Sequence, residues 1–342
     1  MAERRLIYGN HALVEGVINA GCRFFAGYPI TPQNEIPEFM SIRMIEEGGV
    51  FVQTESEIAA INMLFGAAAA GKRAMTSSSS PGISLMQEGI SYIAGADLPV
   101  LVVNVIRGGP GLGNIAPAQS DYYQSTRGGG HGDYFTITLA PNSAQDLYEF
   151  PKLGFELAEK YRNPALIVAD GLLGQMMESI EFSSKPVDPN SLPEPKWALS
   201  GCKGRERRVV RSYDLKPGKL EEWNVRRIKK YEQIKKDEQR FTTDHCDDAD
   251  LVIVAYGTCS RVSSAAVRMA REKGMKVGLL RPITLWPFPT DVLAEISKKV
   301  ENLLVVEMSC GQMIDDVKLA TECRSKIYLH GRPGGGVPTP PE

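Results

Sequence analysis

Four groups of side chains in the first third of the sequence have the types and spacing to act together on one small ligand. Thr31 lies in Gly27-Tyr-Pro-Ile-Thr-Pro32, Glu57 ends Gln53-Thr-Glu-Ser-Glu57, Ser77 to Ser80 precede Pro81-Gly82, and Arg107 follows the apolar run Pro99 to Ile106. A threonine donor, an acid among apolar neighbours, a hydroxyl-rich loop and a guanidinium fork suit a small carboxylate bound beside a nitrogenous cofactor. Glu57 is the centre of this set: a carboxylate in the first turn of a helix is favoured by the local dipole, and where water is scarce it becomes a candidate for proton chemistry. The competing reading is that Thr54, Glu55 and Glu57 only cap the helix. For Arg107 the competing reading is a loop-ordering ion pair with Asp121 or Asp133. Spacing alone does not name the cofactor.

The elements that must position these groups follow from the apolar pattern. Arg23 to Tyr28, Gly49 to Gln53, Arg73 to Thr76 and Pro99 to Ile106 read as strands, the last as a fully buried one from its continuous β-branched run. Helices are expected over Leu13 to Ala20, over the segment carrying Ile36 to Ile45, from Glu57 through Ala67–Ala70, and over Ile83 to Ala94. The Glu57 helix, with Ile58, Ile61, Met63, Leu64 and Phe65, is apolar on most of its circumference and is expected to be buried. Alternation of strand and helix makes an α/β fold with a parallel sheet, and Thr31, Glu57, Ser77–Ser80 and Arg107 all then fall on the edge where such sheets bind ligands. Arg107 to Asp133 loses periodicity and is dominated by glycine, a long loop at that same edge, which favours function. Tyr134 to Leu139 and Ala165 to Ala169 read as further strands around a capped helix, Ser143 to Arg162.

Prolines 186, 189, 193 and 195 mark a linker, and Leu220 to Arg240 is a charged helix with a thin apolar stripe of Trp223, Ile228, Tyr231 and Ile234. Acids interleave with its bases, which favours a solvated strap over a nucleic-acid or membrane role. A second α/β unit starts at Asp250 to Tyr256, with strands at Lys276 to Leu280, Asn302 to Glu307 and Lys326 to Leu329. Its helices are expected at Arg261 to Lys273, Thr290 to Lys299 and Gln312 to Glu322. The tail RPGGGVPTPPE is expected to be loop, or disordered unless a partner holds it. The division is thus residues 1–180, a linker at 181–248, and 249–342.

At 342 residues, 43% hydrophobic and 23% charged, the chain is long enough for two full cores. A formal net charge of -2 gives no electrostatic reason to expect nucleic acid or an anionic membrane as partner. The basic, amphipathic start lacks the apolar core of a secretory signal, and no stretch is long enough to span a bilayer, so a cytoplasmic protein is expected. The six cysteines, with no C-x-x-C, and the four scattered histidines show no metal-ligand spacing. Gly66 to Lys72 fits G-x-x-x-x-G-K, but Arg73 stands where a P-loop needs Ser or Thr, and the alanines belong to a helix end. The Gly108 to Gly113 loop lacks dinucleotide-binding spacing.

Longer strings carry a resemblance. AGYPITPQNEIPE, QTESEIAAINMLFGAAAAGKRAMTSSSSPGISLMQEGISYIAGADLPVLVVNVIRGGPGLG and AQSDYYQSTRGGGHGD are similar to the alpha subunit of 2-oxoacid:ferredoxin oxidoreductases, nearest the type acting on 3-methyl-2-oxobutanoate. The likeness covers residues 6 to about 180, and more loosely 250 to 330, where DLVIVAYGTCSR and LLRPITLWPFP resemble that family's transketolase-C-like domain. It implies a pyrimidine-binding domain for thiamine diphosphate, with the diphosphate and magnesium held by a beta subunit. The absence of a G-D-G followed downstream by Asn agrees with that division. It also implies a gamma subunit, a ferredoxin-like iron–sulfur subunit carrying the clusters, coenzyme A as acyl acceptor and ferredoxin as electron acceptor. By the same resemblance Glu57 is the glutamate that hydrogen-bonds N1′ of the aminopyrimidine, Thr31 and Arg107 meet the substrate carboxylate, and Pro29 and Ser80 line the cofactor. Ile30, Leu112, Ile115, Tyr122 or Tyr123 are open as determinants of apolar selectivity. No further basic residue is placed for a second carboxylate, which favours a branched-chain 2-oxoacid over 2-oxoglutarate. The rival readings are a 2-oxoglutarate enzyme, a catalytically idle scaffold of the same fold, and a thiamine-dependent enzyme using another acceptor.

Overall fold

Strands that must be covered on both faces need continuous apolar runs, and the central strands of the larger sheet have them. The computed structural model describes residues 4–182 and 185–342. In chain order the first unit runs β1 (Arg4–Tyr8), α1 (Gly9–Asn19), β2 (Phe24–Gly27), α2 (Glu35–Glu46), β3 (Val50–Gln53), α3 (Glu57–Ala69), β4 (Ala74–Ser78), α4 (Ser80–Gly95) and β5 (Leu101–Ile106). It continues with α5 (Tyr122–Arg127), β6 (Ile137–Leu139), α6 (Ala144–Tyr161), β7 (Ala165–Asp170), α7 (Gly171–Gln175) and β8 (Met177–Glu181). The charged helix is α8 (Lys219–Asp237), followed by β9 (Phe241–Asp244), β10 (Leu251–Ala255), α9 (Gly257–Glu272), β11 (Val277–Pro282) and β12 (Thr284–Trp286). The chain closes with α10 (Thr290–Ser297), β13 (Asn302–Glu307), α11 (Met313–Thr321) and β14 (Lys326–Gly331).

The larger sheet has seven strands in the order β12-β6-β7-β5-β4-β2-β3. Its pairings are parallel except at the β12 edge, which is antiparallel to β6. Every residue of β4, β5 and β7 is buried, and helices cover both faces, as the expected α/β class requires. The second sheet, β14-β13-β10-β11-β9, is parallel apart from its β9 edge. A small antiparallel pair joins β1 to β8.

Three features depart from the sequence reading. β12 follows β11 of the second unit, yet leaves that sheet and pairs through Thr284 and Trp286 with Leu139 and Thr138 of the first. The ring of Trp286 stacks on Phe135 at 4.9 Å, which fixes the crossing. α3 is covered only on the face of Ala60, Ile61, Leu64 and Ala68, while Ile58 and Met63 stand 50% and 43% exposed, so the expectation of a helix buried nearly all round is corrected. Finally, the glycine-rich stretch contains α5. Its Tyr122 and Tyr123 hydroxyls donate to Asp316 and Asp315 of α11, and the Thr126 hydroxyl bonds back to Tyr122 O at 2.7 Å.

The charged helix α8 is a strap, as its composition suggested. Tyr231 and Ile234 are buried, but Ile228 is exposed and Arg227 takes the inward position. Four-residue steps from 223 through 227 to 231 keep one side of a helix, whereas 228 is rotated off it. The tail after β14 is coil and lies on the chain itself: Asn114 Nδ2 donates to Gly334 O at 3.0 Å, and Arg332 N to Glu307 O at 3.0 Å.

Candidate active site

The carboxyl ends of β3, β2, β4 and β5 lie side by side in the larger sheet, and the four polar groups singled out in the sequence emerge there. After β2 the chain turns through Tyr28 to Asn34. Buried Gln33 holds the turn, donating from Nε2 to Tyr28 O at 3.2 Å and accepting from Ser77 Oγ at 2.6 Å. Asn34 Nδ2 donates to Thr31 Oγ1 at 3.0 Å, which orients that hydroxyl. Thr54 Oγ1 ties the end of β3 to Gly27 O and Ser56 O, at 3.1 and 2.9 Å.

Capping of α3 is done by Ser56, whose Oγ accepts from Ala59 N at 3.2 Å. Glu57 is therefore not needed for the cap. It is 5% exposed, and among the described residues no donor reaches its carboxylate within hydrogen-bond range. Its Oε1 lies against the first turn of α4: a Cβ added at Gly82 would fall 2.5 Å from Glu57 Oε1 and 2.0 Å from Ser78 Oγ. A side chain there would have to displace both of these side-chain tips. The Ser78 and Ser79 hydroxyls beside it are buried and without partners among the described residues. No described donor is spent on this carboxylate, and two unpartnered hydroxyls stand beside it. Ser78 belongs to the hydroxyl run Ser77 to Ser80 read from the sequence, of which Ser80 alone is assigned to the cofactor; Gly82, in the string S-S-S-S-P-G, is not singled out there.

Ser80 instead grips Arg107. Its Oγ accepts from Arg107 N at 3.1 Å and lies 3.2 Å from Arg107 O. The Arg107 side chain is buried, with Nη1 donating to Thr31 O at 3.0 Å and Nη2 to Leu112 O at 3.0 Å, while Nε has no partner. No described carboxylate forms an ion pair with it. Asp121 turns to Asn104 Nδ2 at 2.8 Å, and Asp133 is exposed. Burial pushes the Asp121 carboxyl above its ordinary range, against the hydrogen bonds of Ser80 and Asn104, which pull it down. Arg107 thus draws together the turn after β2 and the loop at residues 108–116, whose base is closed by Gly108 N to Ala116 O at 2.9 Å.

Of the residues left open for selectivity, Leu112 and Ile115 stand exposed on this loop, and Ile30 is half-buried in the Thr31 turn. Tyr122 and Tyr123 are committed to α11 through Asp316 and Asp315. Pro29 is exposed at the head of the turn. A cavity of about 430 Å³ opens beside Ser80 and Asp121 and is bounded across the cleft by Cys310, Gln312 and Gly334 of the second unit.

This edge of the parallel sheet brings together an acid without a described donor, unpartnered hydroxyls and a guanidinium without a described counter-ion. The family described as pyruvate flavodoxin/ferredoxin oxidoreductase, thiamine diphosphate-binding, matches residues 15–230, and pyruvate:ferredoxin oxidoreductase core domain II matches residues 249–342. The chain belongs to this 2-oxoacid:ferredoxin oxidoreductase family and is a subunit of an enzyme of that class. It is 48% identical to ketoisovalerate oxidoreductase subunit VorB of Methanothermobacter marburgensis, over 97% of this chain and 94% of that one. It is 37% identical to 2-oxoglutarate synthase subunit KorA of Methanothermobacter thermautotrophicus, over 100% and 97%. Among solved structures, 2-oxoglutarate:ferredoxin oxidoreductase from Magnetococcus marinus superposes with a TM-score of 0.89 at 27% identity, over 99% of this chain. This chain spans 64% of that polypeptide. A split-gene transketolase matches in fold alone, with a TM-score of 0.60 at 13% identity, over 95% and 89%. No helix among the described residues is long and apolar enough to cross a membrane.

Proposed function

We propose that residues 1–180 supply the pyrimidine-binding half of a thiamine diphosphate site and that the assembled cytoplasmic enzyme oxidatively decarboxylates a branched-chain 2-oxoacid, 3-methyl-2-oxobutanoate. The observation that supports this is the Glu57 carboxylate, 5% exposed and without a described donor, against Gly82 and beside the unpartnered hydroxyls of Ser78 and Ser79. The residues fit the cofactor: a buried carboxylate that accepts a hydrogen bond from a ring nitrogen, and Ser78, Ser79, Pro29 and Ser80 around it. When bound, thiamine diphosphate supplies the carbon nucleophile and the electron sink for decarboxylation.

Glu57 holds the proton at the ring nitrogen and, by the strength of that bond in a water-poor corner, biases the ring's proton distribution. Arg107 binds the substrate carboxylate through its fork, with Thr31 donating beside it. The exposed apolar side chains of Leu112 and Ile115, on the loop that Arg107 holds, close over the alkyl part of the substrate. That placement, and the higher identity to the ketoisovalerate subunit than to the 2-oxoglutarate subunit, supports the branched-chain reading over 2-oxoglutarate.

The diphosphate and magnesium are assigned to a beta subunit, and the iron–sulfur clusters to a ferredoxin-like partner, with a gamma subunit and ferredoxin completing the path. Coenzyme A, bound in the 2-oxoglutarate relative, is the acyl acceptor. Residues 181–248 are a linker and 249–342 the second domain. The test is a panel of 2-oxoacids with the native partners present. Thiamine-dependent ferredoxin reduction with kcat/KM at least tenfold higher for 3-methyl-2-oxobutanoate than for 2-oxoglutarate is expected. The reverse order overturns the substrate assignment, and turnover indifferent to thiamine diphosphate overturns the site.

A further inference from the structure

The opposite edge of the larger sheet carries a second concave site that the chemistry above does not use. Gly95 and Asp97 lie just before β5 and Arg162 just before β7, so this site is at the amino ends of the strands. Six residues of β5 separate it from Arg107, roughly 20 Å of extended chain. There α8 and the segment before it enclose a cavity of about 400 Å³, within the size range of small-molecule pockets.

Its walls are strongly and unequally charged. Arg226 Nη2 and Lys230 Nζ donate to the two Asp97 carboxylate oxygens at 2.9 and 3.0 Å, and Arg227 Nε stands 3.8 Å from Oδ1. Arg162 uses Nε on Asp97 O at 3.1 Å, stacks over Trp197 at 4.7 Å, and has no described partner for either Nη. Three cations thus share one carboxylate, with Arg162 alongside on the Asp97 main-chain carbonyl. A fifth, Arg211, is held by Asp214 at 2.5 Å and lies 5.5 Å from the centroid of the Trp223 ring on the cavity wall. Arg227 is 5% exposed, donates to Asn224 Oδ1 at 2.9 Å and to Gly95 O, and its buried Nε has no hydrogen-bond partner. Burial holds Arg162 and Lys230 below their ordinary ranges, Asp97 opposing and the neighbouring arginines adding to the fall.

A strap helix needs only an apolar face and a few rim charges to dock. Gathering guanidinium forks around a single acid, with one of them buried, is costly unless an anion joins them. Forked donors in several orientations match phosphate oxygens better than a lone carboxylate. The geometry points to a binding site for a phosphate-bearing anion between α8 and the amino ends of β5 and β7, with Arg162, Arg226 and Arg227 on the phosphate and Trp223 as an aromatic wall. This site is independent of the thiamine assignment.

Equilibrium dialysis of the purified full chain against labelled ADP and labelled pyrophosphate tests it. One saturable site per chain is expected, with uptake weakened at least tenfold by Arg226→Glu and by Arg162→Gln, and unchanged in Glu57→Gln. Arg226 is chosen because its side chain is 64% exposed, so its replacement leaves the core intact; circular dichroism checks the fold of each variant. Tighter ADP than pyrophosphate binding assigns the organic part to Trp223, equal binding assigns the phosphate alone, and either supports the site. Absence of saturable uptake at millimolar ligand, uptake indifferent to Arg226→Glu, or uptake lost in Glu57→Gln overturns it.

Discussion

Two buried glutamates close the carboxyl ends of strands in the two sheets, and their surroundings are opposite. Glu307, at the end of β13, accepts from Ser309 Oγ and from the backbone N–H groups of Gln312, Met313 and Ile314, at 2.7 to 3.2 Å. It completes the first turn of α11. Glu57, after β3, has no donor among the described residues, although it too is buried, at 5% exposure, at the start of a helix. The second sheet's edge is likewise spent on docking to the first unit: Thr258 Oγ1 and Thr258 N donate to Asp170 at the end of β7, at 2.8 and 3.2 Å, and Gln119 joins Tyr256 O and Met308 N, both at 2.9 Å. The first sheet's edge is thus part of the seam at β7, whereas at β3 and β4 it leaves polar groups without protein partners. Satisfied polar groups hold structure, and unsatisfied ones mark where something else must come.

That contrast can be broken experimentally, the strongest effect first. Glu57→Gln in the assembled enzyme is expected to lower turnover at least a hundredfold, the scale of a lost proton-handling group, with the melting temperature nearly unchanged. Wild-type-like turnover removes Glu57 from the chemistry. Gly82→Ala should raise the half-saturating thiamine diphosphate concentration at least tenfold, since the new methyl group meets Glu57 Oε1 and Ser78 Oγ; titration of activity with cofactor decides it. Arg107→Ala removes a charge-assisted pair on the order of 1.5 to 3 kcal/mol and should raise the substrate KM at least tenfold, which unchanged saturation curves would contradict.

Glu307→Ala sharpens the comparison from the other side. It orphans three backbone N–H groups, so a loss of about 2 to 3 kcal/mol of stability is expected in denaturant titration, with kcat per folded molecule preserved. The smallest effect concerns Asp121, whose carboxyl is raised by burial above its ordinary 3.8. The folded chain therefore binds this proton more tightly than the unfolded one, and stability falls as pH rises from about 3.8 through the raised value. Asp121→Asn should melt higher than wild type at pH 7, by roughly 1 to 2 °C, and the gap should close near pH 4. A gap that persists unchanged into acid would refute the assignment.

Most of the first sheet was legible because β2 to β5 and β7 are locally apolar and flanked by glycine or polar turns. So was the clustering of Thr31, Glu57, the serines and Arg107, since parallel strands send their following residues to one edge. What was illegible depends on distant partners. β9 is FTTD with every residue exposed, and nothing in that string announces a strand. β12 is three residues between prolines 282 and 287, and its pairing is with β6, far back in the chain. α5 hides among glycines because its hold comes from Asp315 and Asp316, not from its own periodicity. The role of Ser78 against Ser80 is likewise set by a contact across helices, Gly82 with Glu57, that no run of serines discloses.

The strand that Thr284–Trp286 lends to the first sheet limits how this protein can be taken apart. Cutting the polypeptide near residue 249 would strip an outer rung from β6, leaving Ile137–Leu139 with bare amide and carbonyl groups, an invitation to self-association. The halves recognised as separate families are therefore expected to melt in one step when joined and to clump when expressed alone.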